Sequence, residues 1–196
     1  MRLVLSLIGA YLLGAIPVGV LIARRFYDVD IRQMGSKNPG ATNVWRVLGA
    51  KPGATTLALD ALKGVLAVIL AKVLVPDEIG TQIGAGMLAI IGHNWSVFLR
   101  GKGGKGVATS AGVFLALMPL HAVIALIVFL IFFLTSKHVS VGSMAAAVAL
   151  FISTFIIRTN GLLRGLVAVA AVMVLVKHVP NMRRLAHGQE PKVKFP

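Results

Sequence analysis

The sequence predicts an all-α, polytopic helical bundle embedded in a membrane, on three observations. Mean hydropathy is +0.88. Charged residues make up 13% of the chain, where soluble domains carry about 25%. Several stretches approach the ~20 apolar residues that a helix needs to cross ~30 Å of hydrocarbon. Cysteine is absent, which excludes disulfides, thiol nucleophiles and thiolate metal sites.

In chain order, hydropathy places spans at 3–23, 54–75, 79–97, 106–135, 141–157 and 161–177. The first is preceded by basic Arg2, as in a signal peptide. It lacks a small-x-small cleavage site followed by a hydrophilic domain, so an uncleaved span is expected. The fourth is too long, since thirty helical residues would measure ~45 Å. Pro119 and His121 lie near its middle, and proline interrupts a helical ladder.

Charge selects between one helix and two. If 106–135 is unbroken and the first loop is cytoplasmic, the tail "KHVPNMRRLAHGQEPKVKFP" lands outside with its five Lys and Arg. That opposes the positive-inside rule. Splitting the stretch near Pro119 gives seven spans, with the N-terminus outside and the C-terminus cytoplasmic. Fifteen of the 20 Lys and Arg, Lys194 among them, then face the cytoplasm, four face outward, and Lys63 lies within a span. The same distribution explains the net charge of +14 without a polyanionic partner, so nucleic acid is not expected. Residues 1–196 are read as a single membrane-embedded domain.

This topology gathers the polar segments 35–51, 93–110, 136–143 and 177–190 on the cytoplasmic face. "GSKNPGATNVWR", 35–46, offers Ser36, Asn38, Thr42 and Asn43 as neutral donors and acceptors. Gly35 and Gly40 allow close backbone approach, and Arg46 presents a planar fork for phosphate or carboxylate. A capped loop whose Ser and Asn satisfy their own backbone is the alternative.

"FLRGKGGKGVATS", 98–110, has four glycines and three cations, Arg100, Lys102 and Lys105, in front of an apolar segment. Successive N–H groups of Gly103 and Gly104 in such a loop can form an anion nest. A helix starting near Val107 would add its dipole. No Walker A pattern is present, because Gly106 follows Lys105. A flexible interfacial turn with lysines among anionic lipid heads is the alternative.

"KHVPNMRRLAHGQE", 177–190, places His178 and Asn181 three apart, with Pro180 suggesting a bend. A neutral histidine there can act as a base or hydrogen-bond partner. Within the second span, Asp60 and Lys63 stand three apart, and charges at such depth usually face the bundle interior. Bracing of the loops above is the expected role. The five histidines form no metal-ligand cluster, and no histidine is followed four residues later by Asp. No metal and no cofactor are expected, and an ordinary Asp/His dyad is not expected either.

Taken together, "GSKNPGATNVWR", "GHNWSVFLRGKGGKGVAT" and "HVPNMRRLAHGQE" resemble the three motifs of the bacterial acyl-phosphate:glycerol-3-phosphate acyltransferases, the PlsY family. "DALKG", 60–64, and "VSVGS", 139–143, are similar to it as well, and order and spacing agree from end to end. The sequence departs from the family at Ser96, where proline is usual, and at Gly101, where an aromatic is usual.

The resemblance implies an integral membrane enzyme of phospholipid biosynthesis, in the bacterial inner membrane with its active site facing the cytoplasm. It would transfer an acyl group from acyl phosphate to the 1-hydroxyl of glycerol 3-phosphate, giving 1-acyl-glycerol 3-phosphate (lysophosphatidic acid). Ser36, Arg46, Lys102, Gly103, Gly104 and Lys105 are then expected to bind phosphate. Asn38, Gly40, Asn43, Ser143 and Asn181 would position the glycerol or the acyl carbonyl. His178 is the candidate for the hydroxyl proton, with a substrate phosphate oxygen as the alternative acceptor. Asp60, Lys63 and His93 support the loops, and Glu190 anchors the tail by pairing with a loop cation. An acyl-phosphate-forming enzyme is a candidate transient partner on the basic face.

A membrane transporter or binding module for phosphorylated solutes would use the same cationic loops. Such proteins commonly show repeated halves with a site near the midplane. No internal repeat is visible here, and the polar motifs gather on one face.

Overall fold

A computed structural model describes residues 1–193, and every regular element among them is helical. Lys194, counted above among the cytoplasmic cations, lies outside the described residues. The chain divides into two compact units, Met1–Leu117 and Met118–Pro196.

The first unit holds α1 (Arg2–Ala15), α2 (Val18–Tyr27), α3 (Ala41–Leu48), α4 (Ala50–Leu74), α5 (Ile79–Asn94) and α6 (Val107–Leu117). The apolar stretch expected as one span over 3–23 is two helices, bent by 46°. The cause is Pro17, which has no N–H to continue the ladder. α4 is the central element, packing against α1, α3, α5 and α6. Its 25 residues run roughly 37 Å.

Close packing here depends on glycine. A Cβ at Gly64 of α4 would strike the Thr109 carbonyl of α6, and one at Gly112 of α6 would strike the Ala61 carbonyl of α4. Gly14 and Gly92 repeat this reciprocal arrangement between α1 and α5. Backbones that touch in this way gain dispersion contacts that lipid tails cannot match. Above these helices, Val20, Ala23, Ile31, Val44 and Leu99 form a small buried cluster. It ties α2 and α3 to two short 3-10 turns, Ile31–Gln33 and Val97–Leu99.

The second unit comprises α7 (Pro119–Ser136), α8 (Val139–Ile156), α9 (Gly161–Lys177) and α10 (Val179–Ala186). The predicted break in 106–135 falls at Met118, with Pro119 opening α7 where its missing N–H costs nothing. α7 and α8 are each long and apolar enough to cross a membrane, as are the bent pairs α1–α2 and α9–α10 taken together. α6, with 11 residues, spans only ~16 Å. α9 and α10 meet at 49°, and Pro180 sits in the first turn of α10. Asn160 caps α9 by accepting from the Leu163 N–H at 3.0 Å. The many exposed Leu, Ile, Val and Phe side chains of α7 and α8 are what a lipid-facing surface requires.

Candidate active site

The sequence candidates divide between the two units. Positions 36–46, 60–63 and 93–105 belong to the first, and Ser143, His178, Asn181 and Glu190 to the second.

In the segment 35–46, Asn43 is turned inward, 2% exposed. Its Oδ1 accepts from the Ser36 N–H at 2.8 Å. Its Nδ2 donates to the carbonyls of Ile31, Met34 and Asn38 at 3.0–3.1 Å. The amide proposed for substrate is thus engaged by its own loop, which corrects the expectation for this residue. Four short contacts from one planar group hold the loop in one shape. Asn38 Oδ1 accepts from the Gly40 N–H at 2.9 Å, and Gly40 is the N-cap of α3. The loop thereby leaves Ser36 exposed and carries Arg46 on α3, half-buried.

The glycine-rich loop corrects a second expectation. The Gly103 N–H donates to the Asn94 carbonyl at 3.3 Å, and the Gly104 N–H to the His93 carbonyl at 3.0 Å. These N–H groups do not form an anion nest, because the last carbonyls of α5 have no partners within the helix and recruit them. Glycine is needed here for approach: a Cβ at Gly103 would meet the His93 carbonyl, and one at Gly104 the His93 ring. The loop lies flat on the end of α5 and delivers an exposed Lys102 and a half-buried Lys105. As expected, α6 begins at Val107.

Beneath the loop is a buried polar cluster. Lys63 Nζ lies 2.7 Å from Asp60 Oδ1 and donates to the Ile16 carbonyl at 2.8 Å. His93 Nδ1 lies 3.5 Å from the same Asp60 oxygen. Pairing a local motif search could not find is thus made between α4 and α5. Ser96 Oγ donates to the Ala15 carbonyl at 2.6 Å. One small pocket is lined by Pro17, Pro39, Lys63, His93, Ser96 and Gly104, among others.

In the second unit, His178, Asn181 and Ser143 are all buried. His178 Nδ1 donates to the Val174 carbonyl at 2.7 Å. That hydrogen bond selects the tautomer with its proton on Nδ1 and its lone pair on Nε2. Ser143 Oγ donates to the Val139 carbonyl at 2.8 Å, which leaves its oxygen lone pairs as acceptors. The Glu190 carboxylate accepts from Ser140 Oγ at 2.9 Å, Asn181 Nδ2 at 2.6 Å and Arg184 Nε at 2.7 Å. Burial opposes its ionisation, yet these three donors outweigh burial and hold its pKa below the usual glutamate value. Its cation is Arg184 of α10, where a loop cation was expected. His138 Nε2 donates to the Glu190 carbonyl at 3.2 Å, and the Val193 N–H to the Lys137 carbonyl at 2.9 Å. The tail is thereby fastened to the α7–α8 connection.

Among the described residues no group of His, Cys, Asp and Glu could hold a metal ion.

Residues 4–188 match the family model described as glycerol-3-phosphate acyltransferase. The chain is 49% identical over 187 residues to the glycerol-3-phosphate acyltransferase of Trichlorobacter lovleyi, covering 95% of each chain. It is 44% identical over 198 residues to that of Listeria monocytogenes, covering 99% of this chain and 98% of the relative. Among solved structures it is similar to PlsY (YgiH), an integral membrane glycerol 3-phosphate acyltransferase, in its glycerol 3-phosphate form. The TM-score is 0.93 at 34% identity, with 99% of this chain and 96% of that one covered. The lysophosphatidic acid form of the same enzyme matches with a TM-score of 0.91.

Proposed function

The chain belongs to the glycerol-3-phosphate acyltransferase family, and on that premise we propose that it acylates the 1-hydroxyl of glycerol 3-phosphate with acyl phosphate as donor. The products are lysophosphatidic acid and phosphate. It is an integral membrane acyltransferase of phospholipid synthesis. Its residues 1–196 act as one catalytic domain of the bacterial inner membrane. Seven spans, with the N-terminus outside and the C-terminus inside, put the polar segments on the cytoplasmic face, as the Lys and Arg distribution favours.

The observation that carries this reading is the pocket of the first unit. Pro39 of one glycine-and-cation segment and Gly103 and Gly104 of the other line the same opening. Lys102, Lys105, Ser36 and Arg46 bind the phosphates, and the glycines bring the loop within reach. Both substrates carry phosphate, which suits two cationic segments. Ser143 and Asn181 hold the glycerol or the acyl carbonyl, and Asn43 keeps the first segment in shape.

In the transfer, the glycerol 1-oxygen attacks the acyl carbon. A carbon–oxygen ester bond forms, the bond from acyl carbon to phosphate oxygen breaks, and phosphate leaves with the electron pair. The hydroxyl proton passes to His178 or to a substrate phosphate oxygen. Because phosphate is a good leaving group, orientation and charge stabilisation suffice. The mixed anhydride is labile, so a soluble enzyme that makes it is the partner expected to dock transiently on the basic face.

The test is acyl transfer by purified protein in lipid, with radiolabelled glycerol 3-phosphate and either palmitoyl phosphate or palmitoyl-CoA. Labelled lysophosphatidic acid from acyl phosphate alone is the expected result. Product from palmitoyl-CoA would overturn the donor, and no product from either would favour a transporter.

A further inference from the structure

The bend between α1 and α2 leaves two carbonyls, those of Ala15 and Ile16, at a point where the helical ladder stops. Buried carbonyls without a donor cost about 1–3 kcal/mol each. Each receives a side-chain donor here, from a different part of the fold, and the Ile16 carbonyl also takes the Val18 N–H at 3.1 Å. Ser96, 2% exposed, donates to Ala15 at 2.6 Å. Lys63, 5% exposed, donates to Ile16 at 2.8 Å.

Each donor leads to one of the glycine-and-cation segments. Ser96 opens the turn that runs into the loop at 100–106. Lys63 is paired with Asp60 at 2.7 Å, and Asp60 with His93 at 3.5 Å. His93 in turn is the floor of that loop: its carbonyl takes the Gly104 N–H, and its ring lies against the Gly104 Cα. On the other side, α2 carries the segment 35–46, since Gly19 packs directly under the Pro39 carbonyl. A buried ammonium and carboxylate are costly to retain where an apolar pair would pack as well. Their geometry gives the retained charge a use.

We propose that Asp60, Lys63, His93 and Ser96 form a positioning network that sets the distance between the two phosphate-binding segments, acting through the carbonyls of the α1–α2 bend. The four also reach the lining of the pocket, and the role assigned to them is to hold the two segments, not to act on the reacting atoms. Loosening the network lets the glycine loop shift on the end of α5, so Lys105 and the first segment no longer meet one phosphate geometry together. The effect falls on binding of glycerol 3-phosphate before it falls on turnover. This inference rests on the acyltransferase reading above.

The experiment compares His93→Leu with His93→Asn in the full-length protein in lipid. Asparagine keeps a donor near the Nδ1 position, and leucine keeps volume alone. The expected result is a KM for glycerol 3-phosphate raised about ten-fold in H93L, with kcat within about three-fold of wild type and KM restored near wild type in H93N. Wild-type KM in folded H93L, or equal loss in both variants, overturns the proposal. If H93L does not fold, Ser96→Ala decides the matter. It removes one hydroxyl, and a rise of about three-fold in KM at unchanged kcat supports the network, while wild-type KM overturns it. Wild-type protein that transfers no acyl group at all would instead reject the reading beneath it, so the two failures are separable.

Discussion

Replacing Glu190 with alanine removes a single carboxylate that three donors share. Ser140 and Asn181 are both buried and would keep their polar hydrogens without that acceptor. A buried group so stranded costs about 1–3 kcal/mol. The Arg184 side chain is 35% exposed, so water can replace much of its interaction, and it adds little. The sum for E190A is a loss of about 2–6 kcal/mol, at the large end of single substitutions. Glu190→Gln keeps one carbonyl oxygen for Ser140 or Asn181 but turns an amide toward Arg184, and about half that loss is expected. Unfolding of the two variants and wild type, followed by circular dichroism in the same detergent against temperature or denaturant, reads the difference. An E190A protein within about 0.5 kcal/mol of wild type would refute the view that this carboxylate closes the second unit.

The lowered pKa of Glu190 makes the same contact sensitive to acid. A depressed folded pKa contributes stability above the unfolded value near 4.5 that is lost as pH falls through the folded value. Wild type should therefore lose stability more steeply than E190Q below pH ~4.5, and parallel curves would remove Glu190 as the cause. Lys105→Ala should raise the glycerol 3-phosphate KM by ten- to a hundred-fold or abolish turnover, since a charged hydrogen bond is worth about 1.5–3 kcal/mol; unchanged kinetics would remove Lys105 from the site. Gly112→Ala should destabilise by about 1–3 kcal/mol, because its methyl meets the Ala61 carbonyl. Gly165→Ala, whose methyl meets open space on α9, should be neutral or stabilising by up to about 1 kcal/mol, and equal losses in both would undercut the close-packing account.

Hydropathy and proline placement carried much of the helical layout. Pro119 marked the division of 106–135, and Pro180 the bend after α9, because proline acts on its own backbone wherever it stands. Pro17 carried the same signal inside an apolar run that read as continuous, and the α1–α2 bend was missed. In the candidate site, residue types were legible but their orientations were not. Asn43 offers the same groups whether it faces substrate or loop, and only the tertiary placement of Ile31 and Met34 turns it inward. Gly103 and Gly104 have N–H groups fit for an anion, and the unpaired end of α5 claims them first. The Asp60–His93 contact joins residues 33 positions apart on different helices, beyond the reach of any local spacing rule.

The fastening of the tail has a bearing on how the protein is made. Glu190 and Val193 hold the α7–α8 connection and α10, yet the ribosome adds them after every one of those helices. Membrane insertion and closure of the second unit are therefore separate events in time. Until position 190 leaves the ribosome, Ser140, Asn181 and Arg184 wait on water or lipid headgroups for their acceptor. A chain stopped just short of that residue would have all its membrane segments and still present an open, polar seam, a form that proteases or chaperones of the membrane can distinguish from the finished protein.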